Sequence, residues 1–200
     1  MKRFLITALL LAGGILSGCS APAGSPAAGS VPASALAFSE ETAAETAPGP
    51  SASEEGKRTA WEDTLVQTEN PEMPTRVLEG GTRINMQFGD TVLPGRLNDS
   101  ETAQALIEML PYTVHMNSYS HDFCGVMPDD LPYDEAQVHY GWLNGDIDYA
   151  IDAPYFTILH SDEESSEQYG YQVNIGVLDC ELDRIRDLTG SYDVLITLAE

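Results

Sequence analysis

From residue 82 to the C-terminus, apolar and polar residues alternate in short blocks separated by glycine, proline and aspartate. In "TRINMQFG" Ile84, Met86 and Phe88 share one face, and "TVLPGRL" follows after Gly89-Asp90. Two runs of period two around such a pair predict a hairpin. The period then changes. In "LNDSETAQALIEMLP" Ala103, Leu106, Ile107 and Leu110 recur at helical spacing, Asn98 with Glu101 fits a capping box, and Pro111 stops the helix. "YTVHMNSY" alternates again, setting Val114, Met116 and Ser118 against Thr113, His115 and Asn117. A short strand is predicted near Val138.

"GDIDYAIDAPYFTILHS" holds two strands divided by Pro154. In the first, Ile147, Tyr149 and Ile151 face one way, and Asp146, Asp148 and Asp152 are expected on a solvated face. In the second, Phe156, Ile158 and His160 alternate with Thr157 and Leu159. "YQVNIGVL" predicts a strand, "CELDRIRDLTG" a short helix closed by Gly190, and "YDVLITLA" a final strand. Many short strands with two helices predict a mainly β domain over residues 77–200, built as a small barrel or sandwich with helical caps.

The first residues have a different pattern. Lys2 and Arg3 precede an unbroken apolar run, Phe4 to Leu16, that ends in Leu16-Ser17-Gly18-Cys19. The run is shorter than the roughly 20 residues that span a bilayer and has the length of a signal-peptide core. The cysteine at its end looks like a lipobox. Residues 1–18 are therefore read as a lipoprotein signal peptide, and Cys19 as the residue that carries diacylglycerol and acyl chains such as palmitate. Two or more chains give a stable anchor without a transmembrane helix. The expected location is the cell membrane, lipid-anchored and facing outside the cytoplasm. Residues 19–76, rich in Ala, Ser, Pro, Gly and Glu up to "SEEGK", are expected to form a disordered tether.

Charge narrows the partners. The net charge is −23, and the signal takes Lys2 and Arg3 with it. Such a surface repels phosphate backbones, so no nucleic-acid partner is expected. A small molecule or a peptide remains open, no residue pattern calls for a cofactor, and nothing in the chain indicates an oligomeric state.

The order "LPGRLNDSETAQALIEMLPYTVHMNSY", "GDIDYAIDAPYFTIL", "NIGVLD", "ELDRIRDLTGSYDVLITL" resembles the small bacterial cyclophilin-like family from about Thr82 onward. The resemblance implies a closed or partly closed β-barrel, in relatives that include tethered lipoproteins, and carries no established activity. Cyclophilins that isomerise X-Pro bonds use an arginine on the prolyl amide beside an apolar pocket, within a Phe/His/Arg motif followed by Gln-x-Gly-Asp. Neither motif is found. Arg83, Arg96, Arg184 and Arg186 are expected to be solvated, so isomerase activity is the alternative and a binding or accessory module the expectation. No catalytic residue is transferred. A basic residue common after the glycine equivalent to Gly176 is Val177 here.

Three sets of residues remain as candidates. His121, Asp122 and Cys124 in "YSHDFC" would act as acid, base and nucleophile only if the fold brought them within hydrogen-bond reach. His115, His121 and Cys124, with His139 or His160 from other strands, would suit a soft metal, though their spacing is loose and a metal site is not the preferred reading. The tyrosines offer more. Tyr119, Tyr149, Tyr155, Phe156 and Tyr171, with Tyr169 nearby, would form an aromatic-lined barrel mouth for a small ligand or peptide, against the plain alternative of core and rim packing. Cys124 and Cys180 permit one disulfide in an exported protein.

Overall fold

The computed structural model describes residues 58–200. The expected signal peptide over 1–18, the expected lipid site Cys19 and the expected tether as far as residue 57 lie outside the described residues. Among the described residues, no helix is long and apolar enough to cross a membrane.

In chain order the elements are β1 (Thr82–Phe88), β2 (Thr91–Leu97), α1 (Glu101–Met109), β3 (Tyr112–Ser118), β4 (Asp122–Val126), β5 (His139–Tyr140), β6 (Asp146–Ala150), β7 (Tyr155–Leu159), β8 (Gly170–Leu178), α2 (Asp183–Arg186) and β9 (Ser191–Leu198). Antiparallel pairing runs β2-β1-β9-β3-β4-β7-β6-β8. Gly95–Leu97 of β2 then pair with Gly176–Leu178 of β8 and close an eight-stranded barrel. Closure removes the edges that an open sheet of this length would expose. The two-residue β5 adds to the first half of β8.

The predicted hairpin is β1–β2, with Phe88 opposite Thr91 and Gly89 at φ +57°, a left-handed value that glycine reaches at no steric cost. The helix is present, but its cap is Ser100 rather than Asn98. Ser100 Oγ accepts from Ala103 N at 3.2 Å. The Asn98 oxygen lies one step earlier, accepting from Ser100 N (3.0 Å) and Ser100 Oγ (2.6 Å). A helix that starts at Glu101 is too far along the chain for Asn98 to cap it.

The alternating apolar residues fill the barrel. Ile84, Met86, Leu93, Val114, Met116, Phe123, Ile147, Phe156, Ile158, Ile175, Val194 and Ile196 are all buried in one cluster, joined by Ala103 and Leu106 of α1 and Ile185 of α2. Phe88 meets Phe123 edge-on, with ring centroids 5.3 Å apart. An eight-stranded barrel is just wide enough for side chains to fill.

Two expectations are corrected. The tether does not extend to residue 76, because residues 58–76 are part of the folded unit. Ala60 N donates to Tyr140 O (2.9 Å), Thr75 N to Asn144 O (2.8 Å) and Leu182 N to Glu72 O (2.7 Å). Averaged composition hid this: the Ala/Ser/Pro run ends before Arg58, and the next stretch finds barrel partners for its backbone. The second correction concerns β6. Asp146 and Asp148 are fully buried. They do lie opposite Ile147 and Tyr149, but that outer face is covered. Ala60, Trp142, Leu143, Leu159 and Val177 are buried outside the main core cluster and form a second apolar layer.

Candidate functional site

A strand that buries carboxylates on its outer face must pair them, because an isolated buried charge is costly. Asp146 is paired in full. Arg76 Nε donates to Oδ1 at 2.7 Å and Nη2 to Oδ2 at 2.9 Å, the two-pronged geometry of guanidinium on carboxylate. Leu143 N adds a third bond to Oδ2 at 2.9 Å. Arg76 also donates to Thr64 Oγ1 (3.1 Å) and Ala60 O (3.4 Å). Burial pulls the guanidinium down and Asp146 pulls it up, and the net shift is upward. The charge stays on.

Asp148 has the opposite fate. Burial, then the nearby Asp146 charge, push its carboxyl well above the usual range, against the pull of Arg76 and Asn174. Its Oδ1 accepts from Asn174 Nδ2 at 2.9 Å, and its buried Oδ2 has no partner. Two carboxylates on one strand face thus divide their roles: one is paired with Arg76, and burial pushes the other toward its protonated form.

The network continues outward. Asn174 Nδ2 also reaches Gly176 O (2.8 Å), and Asn98 Nδ2 donates to Asn174 O (2.8 Å). Through Ser100 this joins the N-terminus of α1 to the buried carboxylates. His139 of β5 is 5 % exposed. Its Nδ1 lies 3.1 Å from Gly141 O, so that nitrogen carries the hydrogen and Nε2 is left as an acceptor. Burial lowers the pKa of the ring, which keeps it neutral. Nε2 has no partner among the described residues, nor has the buried Gln137 Oε1.

His139, Gln137, Asn98 and Asn174 line one cavity of about 380 Å³, together with Arg58, Glu62, Asp63, Arg76 and Asp99. A second, of about 550 Å³, lies along Met73, Pro74, Val77, Leu78, Val177 and Leu178, with Arg96 and Asp179 at hand. Arg76, Val77 and Leu78 line both. Arg96 is engaged: its Nη2 is 3.0 Å from Asp179 Oδ2.

The aromatic residues expected at a barrel mouth are not brought together. Tyr149 and Phe156 belong to the packed interior, and Tyr149 Oη accepts from Leu131 N at 3.1 Å. Tyr119 is exposed, Tyr155 is half-buried, and Tyr171 packs on Tyr140 with centroids 4.9 Å apart at φ +67°. None of the five lines either cavity.

"YSHDFC" is taken apart as well. The His121 ring stacks on Trp142 at 5.0 Å. Cys124 lies on β4, where burial and then Asp122 push its thiol up to about 11. A reactive cysteine needs the opposite shift. His115 pairs at the surface with Asp193 at 2.8 Å. Cys124 and Cys180 are both free thiols. Among the described residues no group of three or more His, Cys, Asp or Glu is placed to hold a metal.

Sequence reading missed Arg76 altogether and placed the two aspartates in solvent. A signal was available: beyond the turn at 151–154, the next strand "YFTIL" carries Phe156 and Ile158 on one face and Tyr155 and Leu159 on the other, as a strand apolar on both faces would.

His160, which follows β7, yields a pH prediction. It is 5 % exposed, and burial, then Arg186 and His121, lower its pKa to about 4. The unfolded ring titrates near 6.5, so the unfolded chain binds the extra proton first as pH falls. Stability from this group is full above about pH 6.5 and is lost progressively toward about 4. Urea denaturation across this window is expected to show an acid limb that flattens in His160→Asn, and an unchanged limb would show that the ring is hydrated.

Comparison with known proteins now bears on the fold. The family model of the cyclophilin-like family matches residues 86–197, from β1 to β9. The chain belongs to the cyclophilin-like family. The matched span excludes residues 58–76, so the Arg76 side of the site lies outside it. This cyclophilin-like chain also resembles the solution structure of the hypothetical protein AF2241 from Archaeoglobus fulgidus, with a TM-score of 0.50 and 15 % identity over 62 % of this chain and 100 % of that one. That likeness shows the fold alone. No curated protein matches the chain.

Proposed function

We propose that the domain is a binding module, presented outside the cytoplasm on a lipid anchor at Cys19, that holds a small polar molecule or a polar end of a peptide in the 380 Å³ cavity. The observation that carries this reading is the polar wall of that cavity, to which the buried His139 contributes. Its neighbours Asn98 and Asn174 are held by each other and by Ser100, so the wall is pre-organised. No nucleophile with an adjacent base lines the cavity, and binding is the output such a wall supports.

Prolyl isomerisation is the rival. It uses an arginine free to reach a prolyl amide, and Arg76, the buried arginine here, has Nε and Nη2 committed to Asp146. Exchange of an X-Pro test peptide is therefore expected to be unaccelerated.

The test is a nuclear magnetic resonance screen of small polar fragments against the chain. Fragments are expected to move the amide resonances of Asn98, Gln137 and His139. A screen that moves none of them, or that maps binding to another face, overturns the reading. Cys19→Ala is expected to release the protein from membranes, and unchanged retention would remove the anchor.

A further inference from the structure

We infer that residues 58–79 form a hinged strap, which swings off the outer face of the barrel about Gly80 while the barrel stays folded. The motion does not depend on what either cavity binds. Three observations carry it. First, the strap is knitted to itself. Gln67 Nε2 donates to Asn70 O (3.0 Å), Met73 O (3.3 Å) and Pro74 O (2.8 Å), and Gln67 Oε1 accepts from Asn70 N (3.0 Å). Gln67 N donates to Thr75 O (2.9 Å) and Val77 N to Leu65 O (2.8 Å), so its two arms pair with each other.

Second, polar bonds do most of the fastening to the barrel. Arg76 pairs with Asp146, and four backbone bonds cross: Ala60 N to Tyr140 O, Tyr140 N to Arg58 O, Thr75 N to Asn144 O and Leu182 N to Glu72 O. Of the strap's apolar residues only Ala60 and Pro74 are buried, and Leu65 and Val66 are exposed. Segments with few buried apolar side chains open at lower free energy than the core they lie on. Third, the strap ends on a pivot. Gly80 and Gly81 have φ +97° and +86°. A Cβ on Gly81 would overlap the Leu97 carbonyl oxygen, which ties that residue to β2, whereas a Cβ on Gly80 would meet nothing within 4 Å. The chain is free to turn at Gly80.

The strap also shapes both cavities. Arg76, Val77 and Leu78 stand between them, with Asn98, His139 and Asn174 across the 380 Å³ space and Arg96, Val177 and Leu178 across the 550 Å³ one. A swing breaks the Arg76–Asp146 latch and joins the two spaces into one groove.

Hydrogen exchange on the full-length chain, followed by nuclear magnetic resonance, tests the motion. The crossing amides of Ala60, Thr75, Tyr140 and Leu182 are expected to exchange together, about a hundredfold faster than the slowest amides of β1 and β9. The internal amides of Gln67 and Val77 are expected to outlast the crossing set. Equal protection in strap and barrel overturns the inference. So does loss that begins at Ala60 and spreads through Gln67 and Val77, which is fraying from the end.

Gly80→Ala tests the pivot. Alanine is strained at a left-handed φ, and the strain is released only in states where residue 80 turns. Crossing amides and the slowest barrel amides are both expected to speed by about tenfold. Speeding of the barrel amides alone shows that the strap opens without turning at Gly80. No change in either set shows that residue 80 does not hold the turn. Both results overturn the pivot.

Discussion

Arg76→Ala is expected to cost the domain about 3–5 kcal/mol, the loss that follows when one partner of a buried ion pair is removed. Small domains have about 5–15 kcal/mol in all. The reason is Asp146, which is fully buried and takes two bonds from Arg76. Without the guanidinium, its charge stays in a low-dielectric site with only Leu143 N as a described partner. Denaturation at neutral pH measures the loss. Arg76→Met with Asp146→Asn is expected to recover most of it, since both charges leave together and the amide oxygen can still accept from Leu143 N. A loss below about 1 kcal/mol in the single variant would put it in the range of an exposed ion pair. By the same physics, a chain begun at Val77 should be far less stable than one begun before Arg58.

The second large effect is expected at the barrel seam. Gly176 lies opposite Leu97, and pairing of β8 with β6 skips a residue beside it, from Gly176–Ile147 to Asn174–Asp148. A Cβ on Gly176 would overlap the Arg96 carbonyl oxygen. Backbone cannot yield as a flexible side chain does, so the strands must separate. Gly176→Ala is expected to cost about 2–3 kcal/mol as overpacking, and to raise amide hydrogen exchange across Gly95–Leu97 before other strands respond. Exchange that stays uniform, or a loss below about 1 kcal/mol, would show that the seam can widen without opening. Only glycine permits this approach, as at other tight barrel corners.

The two effects differ in how far they can be seen in the chain. The barrel strands announce themselves because side chains on a strand alternate, and a core on one side writes period two into the residues. Ile84-Met86-Phe88 and Val114-Met116 are legible for that reason. The helix was legible from its spacing, although its cap moved from Asn98 to Ser100. The candidate site was hardly legible. Its charged partners, Arg76 and Asp146, lie 70 positions apart, and the arginine lies just beyond a compositionally biased stretch. His139 was visible as a histidine, but nothing local marks Nε2 as the atom without a partner. "YSHDFC" misled in the reverse direction: its reactive groups are adjacent in the chain and diverge in the fold, His121 onto Trp142 and Cys124 into β4.

The chain by itself determined a mainly β cyclophilin-like domain and most of its strands, though not β4 with its core residue Phe123, because local periodicity encodes which face is dry. Tertiary structure alone decided which aspartate is paired, which arginine is spent, and which polar side chains gather around a cavity. Those outcomes depend on desolvation and on partners contributed by distant segments. In β6, identical residue types two positions apart differ because Arg76 reaches only one of them with hydrogen bonds.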